Sequence, residues 1–179
     1  MKVITAIAYA PKEYDKNLGQ AYNEVMESTN SDYVIFLDHD AMFTTRDWYH
    51  QICTIIDENP EVGLFSAMTN RIGNKQQLAA YPGHNYLEHR VVGKNLADEH
   101  GTEVVDLIYR RTKGWRMMSG VLMVVKREAW EKVKFTDGFL GVDNNFHRDM
   151  LEAGYPCKLM RGVYLYHFYR GDGDESHLK

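Results

Sequence analysis

The chain has 179 residues, 44% hydrophobic and 26% charged, the balance of a globular domain with enough apolar side chains for a substantial core. A net charge of −4 and a pI of about 6.0 exclude the broad basic field that nucleic acids or anionic membranes select. Cys53 and Cys157 lie far apart with no ligand spacing, so neither a disulfide framework nor a zinc site is expected, and both are read as reduced core thiols.

Lys2, a short apolar run and Ala8-Tyr9-Ala10 loosely imitate a secretion signal. Val3 to Ile7 is too short for its hydrophobic region, and the run is read as a first strand, Val3 to Ala8. No stretch has the length of a membrane-spanning helix, so a cytoplasmic protein is expected. From about Asn17 to Ser28, Leu18, Ala21, Tyr22, Val25 and Met26 recur with helical period. Tyr33-Val34-Ile35-Phe36-Leu37 has the β-branched and aromatic content of a buried strand. Thr45 is a candidate N-cap for a helix carrying Trp48, Ile52, Ile55 and Ile56, ended by Asn59-Pro60. Val62 to Met68 predicts a third strand. Strand–helix alternation of this kind predicts a mostly parallel sheet covered by helices.

From Thr69 to Lys113 the pattern lapses into polar sequence with short apolar runs such as Val104 to Tyr109, which suggests an insertion with little local structure and possible mobility. Its histidines, His84, His89 and His100, have no metal-ligand spacing and are expected on the surface. Regularity returns with a strand over Val121–Val125 and a short helix over Arg127–Val133. A helix from about Asp143 to Ala153 follows, closed by Gly154. Cys157–Met160 and Val163–Phe168 are read as two last strands. One domain over residues 1–170 is expected, with an insertion or acceptor loop at about 69–116 and a polar tail at 171–179.

Four motifs carry chemistry. Asp38-His39-Asp40 ends the apolar strand, at the sheet rim where open α/β folds bind ligands. Alone it suits a polar turn, yet two carboxylates there also suit Mg²⁺ or Mn²⁺ brought in with a phosphate. In Gly138-Phe139-Leu140-Gly141-Val142-Asp143, an acid at a helix start serves as an N-cap or, with a hydroxyl in reach, as a general base. His167 ends an aromatic strand ahead of Arg170; an imidazole added to carboxylates favours a Mn²⁺-type site, and Arg170 suits a diphosphate. Asn17-Leu18-Gly19-Gln20-Ala21-Tyr22-Asn23 opens a helix and takes meaning from its order relative to the other three.

That order resembles a GT-A-fold glycosyltransferase of the family 2 type: an Asn-x-Gly-x-Ala-x-Asn segment, an Asp-x-Asp strand end, Ser119-Gly120-Val121 running to Lys126-Arg127-Glu128, the acidic glycine loop, and a late histidine. The resemblance spans roughly residues 3 to 170. It implies an α/β GT-A fold, abbreviated, with a mixed central sheet flanked by helices. It further implies an inverting, metal-dependent transfer from a nucleotide sugar, a UDP-sugar, to an acceptor hydroxyl. By position, Asp40, Asp38 and His167 would hold the metal, and Asp143 would be the base. Ala8, Tyr9, Asn17, Asp38, Asp40 and Arg170 would contact the nucleotide; Trp115, Met118, Ser119, Gly120 and Gly141 would line the sugar and acceptor positions. The family's additional helix and strand before the Asn-Gly segment are missing, since Tyr9 and Asn17 are eight positions apart, and its Glu-Asp pair is Val142-Asp143 here. A non-catalytic nucleotide-sugar-binding module is the alternative. A haloacid dehalogenase-type phosphatase fits less well, because Met42 stands where its mechanism needs a hydroxyl.

Overall fold

The computed structural model describes residues 1–10, 16–70, 72, 74–79, 83, 85–109 and 118–168. Trp115, Arg170, His84 and the 171–179 tail lie outside them. In chain order the elements are β1 (Val3–Ala6), α1 (Leu18–Ser28), β2 (Tyr33–Leu37), β3 (Ala41–Phe43), α2 (Trp48–Glu58), β4 (Leu64–Thr69), α3 (Tyr86–His100), β5 (Val104–Asp106), β6 (Leu122–Lys126), α4 (Arg127–Lys132), α5 (Val142–Glu152) and β7 (Cys157–His167).

The strands form one mixed sheet in the order β1-β2-β6-β4-β7-β3, with β5 also paired to β7. β1 runs parallel to β2 and β4 to β7, while β6 is antiparallel to both β2 and β4. The two-residue period of the strands divides the core. Val34, Phe36, Met123 and Val125 face a cluster with Tyr22, Met26, Trp130 and Phe146, from α1, α4 and α5. Tyr33, Ile35, Leu122 and Val124 face Ile52, Ile55 and Ile56 of α2. A sheet buried on both faces explains why its strands are continuous apolar runs.

Several expectations need correction. Asp47, not Thr45, holds the N-cap position of α2, without a side-chain cap bond; the chain turns for two further residues before the Gln51 N–H closes the first helical turn on the Asp47 carbonyl at 2.9 Å. The two expected final strands are one strand of 11 residues. Gly162 does not break it but sits at a register shift against β4, where a Cβ would come within 2.2 Å of the Gly101 carbonyl oxygen. The insertion is not poorly structured where it is described: it contains the 15-residue α3, with Asn85 as N-cap, and β5.

His89 in α3 is fully buried, not on the surface. Its Nδ1 lies 2.7 Å from the Tyr164 hydroxyl, its Nε2 lies 2.8 Å from the Gly83 carbonyl oxygen, and its ring stacks on Tyr166 at 4.3 Å. Gly93, one turn on, allows α3 to approach so closely that a Cβ there would collide with Thr44. This helix binds β7 through a histidine and a glycine, while Leu87 and Val91 are exposed. Both cysteines are free, Cys157 buried and Cys53 half-buried. Among the described residues no helix is long and apolar enough to cross a membrane.

Candidate active site

The Asp38-His39-Asp40 motif forms a tight turn. The Ala41 N–H donates to the Asp38 carbonyl at 3.2 Å, reversing the chain from β2 into β3. β3 then pairs with the end of β7, setting Ala41 opposite His167, and the Phe168 N–H donates to the Asp40 carbonyl at 2.9 Å. Backbone bonds thereby join residues more than a hundred positions apart. The side chains of Asp38, Asp40 and His167 converge, with one ligand atom from each lying within 4.8 Å of the others. His167 is 6% exposed, and its Nε2 is 3.4 Å from Asp40 Oδ1.

Electrostatics distinguishes the two acids. Hydrogen bonding to His167 holds the Asp40 carboxyl below the usual carboxylate range. Asp38 goes the other way: burial, with the negative charges of Asp40 and Asp143, raises it to about 6 against the opposing pull of His167 and His39. A buried carboxylate this reluctant to ionise beside a second one is relieved by a divalent cation. Two carboxylate oxygens and one imidazole nitrogen fit Mn²⁺ or Mg²⁺, the imidazole favouring Mn²⁺.

Asp143 sits in the first turn of α5, after Gly141 in the left-handed conformation at φ 76°. Its Oδ2 accepts from the Gly120 N–H at 2.7 Å. Its Oδ1 accepts from the Asn144 N–H at 2.9 Å and from Asn144 Nδ2 at 2.7 Å. Burial raises this carboxyl, and the N–H groups of Asn144 and Gly120 partly offset the rise. Oδ2 thus takes the Gly120 bond, and Oδ1 takes both Asn144 bonds. The C-terminus of α5 is fixed by Gly154 at φ 84°, with the Gly154 and Tyr155 N–H groups closing on the Leu151 and Met150 carbonyls, both at 3.0 Å.

The Asn17–Asn23 segment anchors the loop that leads to Asp143. Asn17 Oδ1 caps α1 through the Gln20 N–H and also accepts from the Gly138 N–H, each at 3.0 Å. Leu18 and Gly19 donate back to the Gly138 carbonyl at 2.7 and 3.1 Å. Asn23 pairs with both backbone groups of Phe135, donating at 2.9 Å and accepting at 3.1 Å. Arg127 closes the other end of α1 by donating to the Met26 carbonyl at 2.7 Å.

Of the remaining sequence candidates, Ser119 and Gly120 form the turn against Asp143. The Met118 side chain is 1% exposed and belongs to the core, and Tyr9 is 79% exposed beyond the end of β1, next to Ala8. Trp115 and Arg170 lie outside the described residues.

Three residues of this neighbourhood were not singled out as site residues from sequence. Tyr22 lies on the buried face of α1. Its ring packs against Phe36 and Phe135 with centroids at 4.8 and 4.7 Å. Burial, and then the charges of Asp38 and Asp143, keep its phenol protonated, leaving a hydroxyl donor within the field of both carboxylates. Asn70 and Gln77, buried at 5% and 0% exposure, hold the backbone of His167 and Ser119. Isolated amides in a polar stretch give no sequence signal for such a role. Tyr22 had one signal: it lies inside the Asn17–Asn23 motif.

Residues 5–143 match the sequence model of a family described as glycosyltransferase-like. A comparison with curated proteins yields no match. By fold the chain is similar to a crystal structure described as that of a mycobacterial protein, with a TM-score of 0.54 at 15% identity, covering 96% of this chain and 58% of the other. At that identity the likeness is one of fold, and this chain spans little more than half the length of that structure.

Proposed function

Because the chain belongs to the glycosyltransferase-like family and folds as a compact GT-A domain with a mixed sheet flanked by helices, we propose that it transfers a sugar from a UDP-sugar to an acceptor hydroxyl, with inversion. The observation that carries this reading is the convergence of Asp38, Asp40 and His167 within 4.8 Å at the sheet rim, with Asp143 close enough to raise the Asp38 carboxyl.

Asp40, Asp38 and His167 hold the divalent ion, Mn²⁺ or Mg²⁺. When bound, that ion stabilises negative charge on the departing diphosphate. Asp143 accepts the proton of the acceptor hydroxyl as the oxygen attacks C1 opposite the departing diphosphate. The Gly120 and Asn144 N–H groups hold the carboxylate still during that step. Ala8 and Tyr9 border the nucleotide base, Asn17 fixes the loop beneath the sugar, and Arg170 neutralises the diphosphate. Ser119, Gly120 and Gly141 shape the sugar position, with Trp115 contributing from the preceding segment; Met118, buried in the core, supports that segment from below.

The test is UDP release from a panel of UDP- and GDP-sugars with Mn²⁺, Mg²⁺ or EDTA, with and without sugar acceptors. Metal-dependent release that disappears in Asp40→Ala is expected. Metal-dependent UDP binding without release across all acceptors supports a binding module instead, and neither binding nor release refutes both.

A further inference from the structure

The segment that follows β4 carries two buried amides, each gripping a site-bearing strand or turn from behind. Asn70 Oδ1 accepts the His167 N–H at 2.7 Å, and its Nδ2 donates to the His167 carbonyl at 3.2 Å. Gln77 Oε1 accepts the Ser119 N–H at 2.8 Å, and its Nε2 donates to the Ser119 carbonyl at 3.0 Å and to Ser66 Oγ at 2.7 Å. A side-chain amide offers the same donor and acceptor pair as a peptide group, so each one acts as a single rung of sheet. The two are also tied together. The Thr69 N–H donates to the Gln77 carbonyl, and the Ala79 N–H donates to the Thr69 carbonyl, both at 2.8 Å.

Neither grip falls on neutral scaffolding. His167 is the nitrogen donor of the carboxylate–imidazole cluster, and Ser119 immediately precedes the Gly120 N–H that binds Asp143 at 2.7 Å. Buried amides are satisfied in only one arrangement, so each fixes its target more sharply than apolar packing would.

We propose that Asn70 and Gln77 are positioning residues. Asn70 sets the place of His167 in the metal corner, Gln77 sets the Gly120 N–H that orients Asp143, and the Thr69–Gln77 pairing fixes the distance between the two corners. This rests on the transferase reading, and it identifies which residues outside the site govern each half of it.

The test compares Asn70→Ala, Gln77→Met and a control, Gln51→Met, whose amide grips the Gly101 and Gly162 carbonyls instead. Three quantities are measured: Mn²⁺ affinity from the electron paramagnetic resonance of free Mn²⁺, kcat and donor KM at saturating metal, and thermal midpoint. Asn70→Ala is expected to weaken Mn²⁺ binding about tenfold. Gln77→Met is expected to leave Mn²⁺ affinity and donor KM within about twofold and to lower kcat roughly tenfold to a hundredfold. Gln51→Met is expected to lower only the thermal midpoint.

Should a variant fail to fold, Asn70→Asp or Gln77→Glu, each keeping the acceptor oxygen and losing the donor, replaces it. Wild-type protein that binds Mn²⁺ and turns over while both variants match it overturns the proposal alone. Wild-type protein that neither binds Mn²⁺ nor releases UDP overturns the transferase reading and the proposal with it.

Discussion

The Gly120 N–H donates to Asp143 Oδ2 at 2.7 Å, and a Cβ on Gly120 would stand 2.9 Å from Asp143 Cβ and 3.1 Å from that same oxygen. The bond and the missing side chain are one requirement: the backbone must come this close to orient the carboxylate. Gly120→Ala is therefore expected to move Asp143 and lower kcat roughly a hundredfold, with Mn²⁺ affinity preserved. Steady-state kinetics beside a metal titration checks this, and undiminished turnover would remove Asp143 from the chemistry.

Gly19 presents a harsher collision. An added Cβ would lie 1.9 Å from the Thr136 carbonyl oxygen, against the loop that Asn17 and Asn23 anchor. That contact is backbone and cannot swing aside. Gly19→Ala is expected to cost about 1–3 kcal/mol even though alanine is the better helix former. Urea unfolding would expose the error if the variant were as stable as wild type.

Asp38 and His147 give opposite pH dependences. Asp38 is raised to about 6, so the folded protein binds its proton more tightly than the unfolded chain, and stability from this group falls as pH rises from about 4 to 6. His147 is fully buried with Nε2 3.2 Å from the Leu107 carbonyl oxygen, and burial lowers it to about 4. It stays neutral where the unfolded chain accepts a proton, so its contribution falls as pH drops from about 6.5 to 4. The two slopes largely cancel in wild type. Without metal, Asp38→Asn should gain about 2 kcal/mol relative to wild type between about pH 4.5 and pH 7. Denaturant midpoints at the two pH values give the answer, and a constant difference contradicts the assignment.

Metal supplies a check independent of turnover. Mn²⁺ at about a hundred times its Kd should stabilise the wild-type fold by about 2.7 kcal/mol. Asp40→Ala and His167→Ala should lose most of that gain, as seen in thermal midpoints with and without the ion. A gain that survives both substitutions would place the ion elsewhere.

How much of this was legible before folding depended on how local the cause was. The Tyr33–Leu37 strand is bounded as its apolar run suggests, the α1 cap is the expected Asn17, and Gly154 closes α5; each is decided within a few residues. β3 was missed because Ala41-Met42-Phe43 becomes a strand only by pairing with Tyr166 and its neighbours. α3 was missed because its buried residues are His89 and Gly93, which an apolar stripe cannot reveal. In the site, Asp38, Asp40, His167 and Asp143 were named from chemistry and order. Tyr22, Asn70 and Gln77 were not, since their importance lies in what they face across the sheet.

β7 receives β3, β4 and β5 along its length, and Asn70 grips His167 across 97 residues of chain. The corner of Asp38, Asp40 and His167 therefore cannot be assembled piecemeal during synthesis. A nascent chain that has already emerged through Asp40 carries its carboxylates without the imidazole, without the strand that pins β3 and without the partner of Asn70. Such long-range closure is slow and comes late in folding. Acquisition of tight Mn²⁺ binding would then report completion of the sheet, and a chain truncated before β7 would be unable to trap the ion in a half-built site.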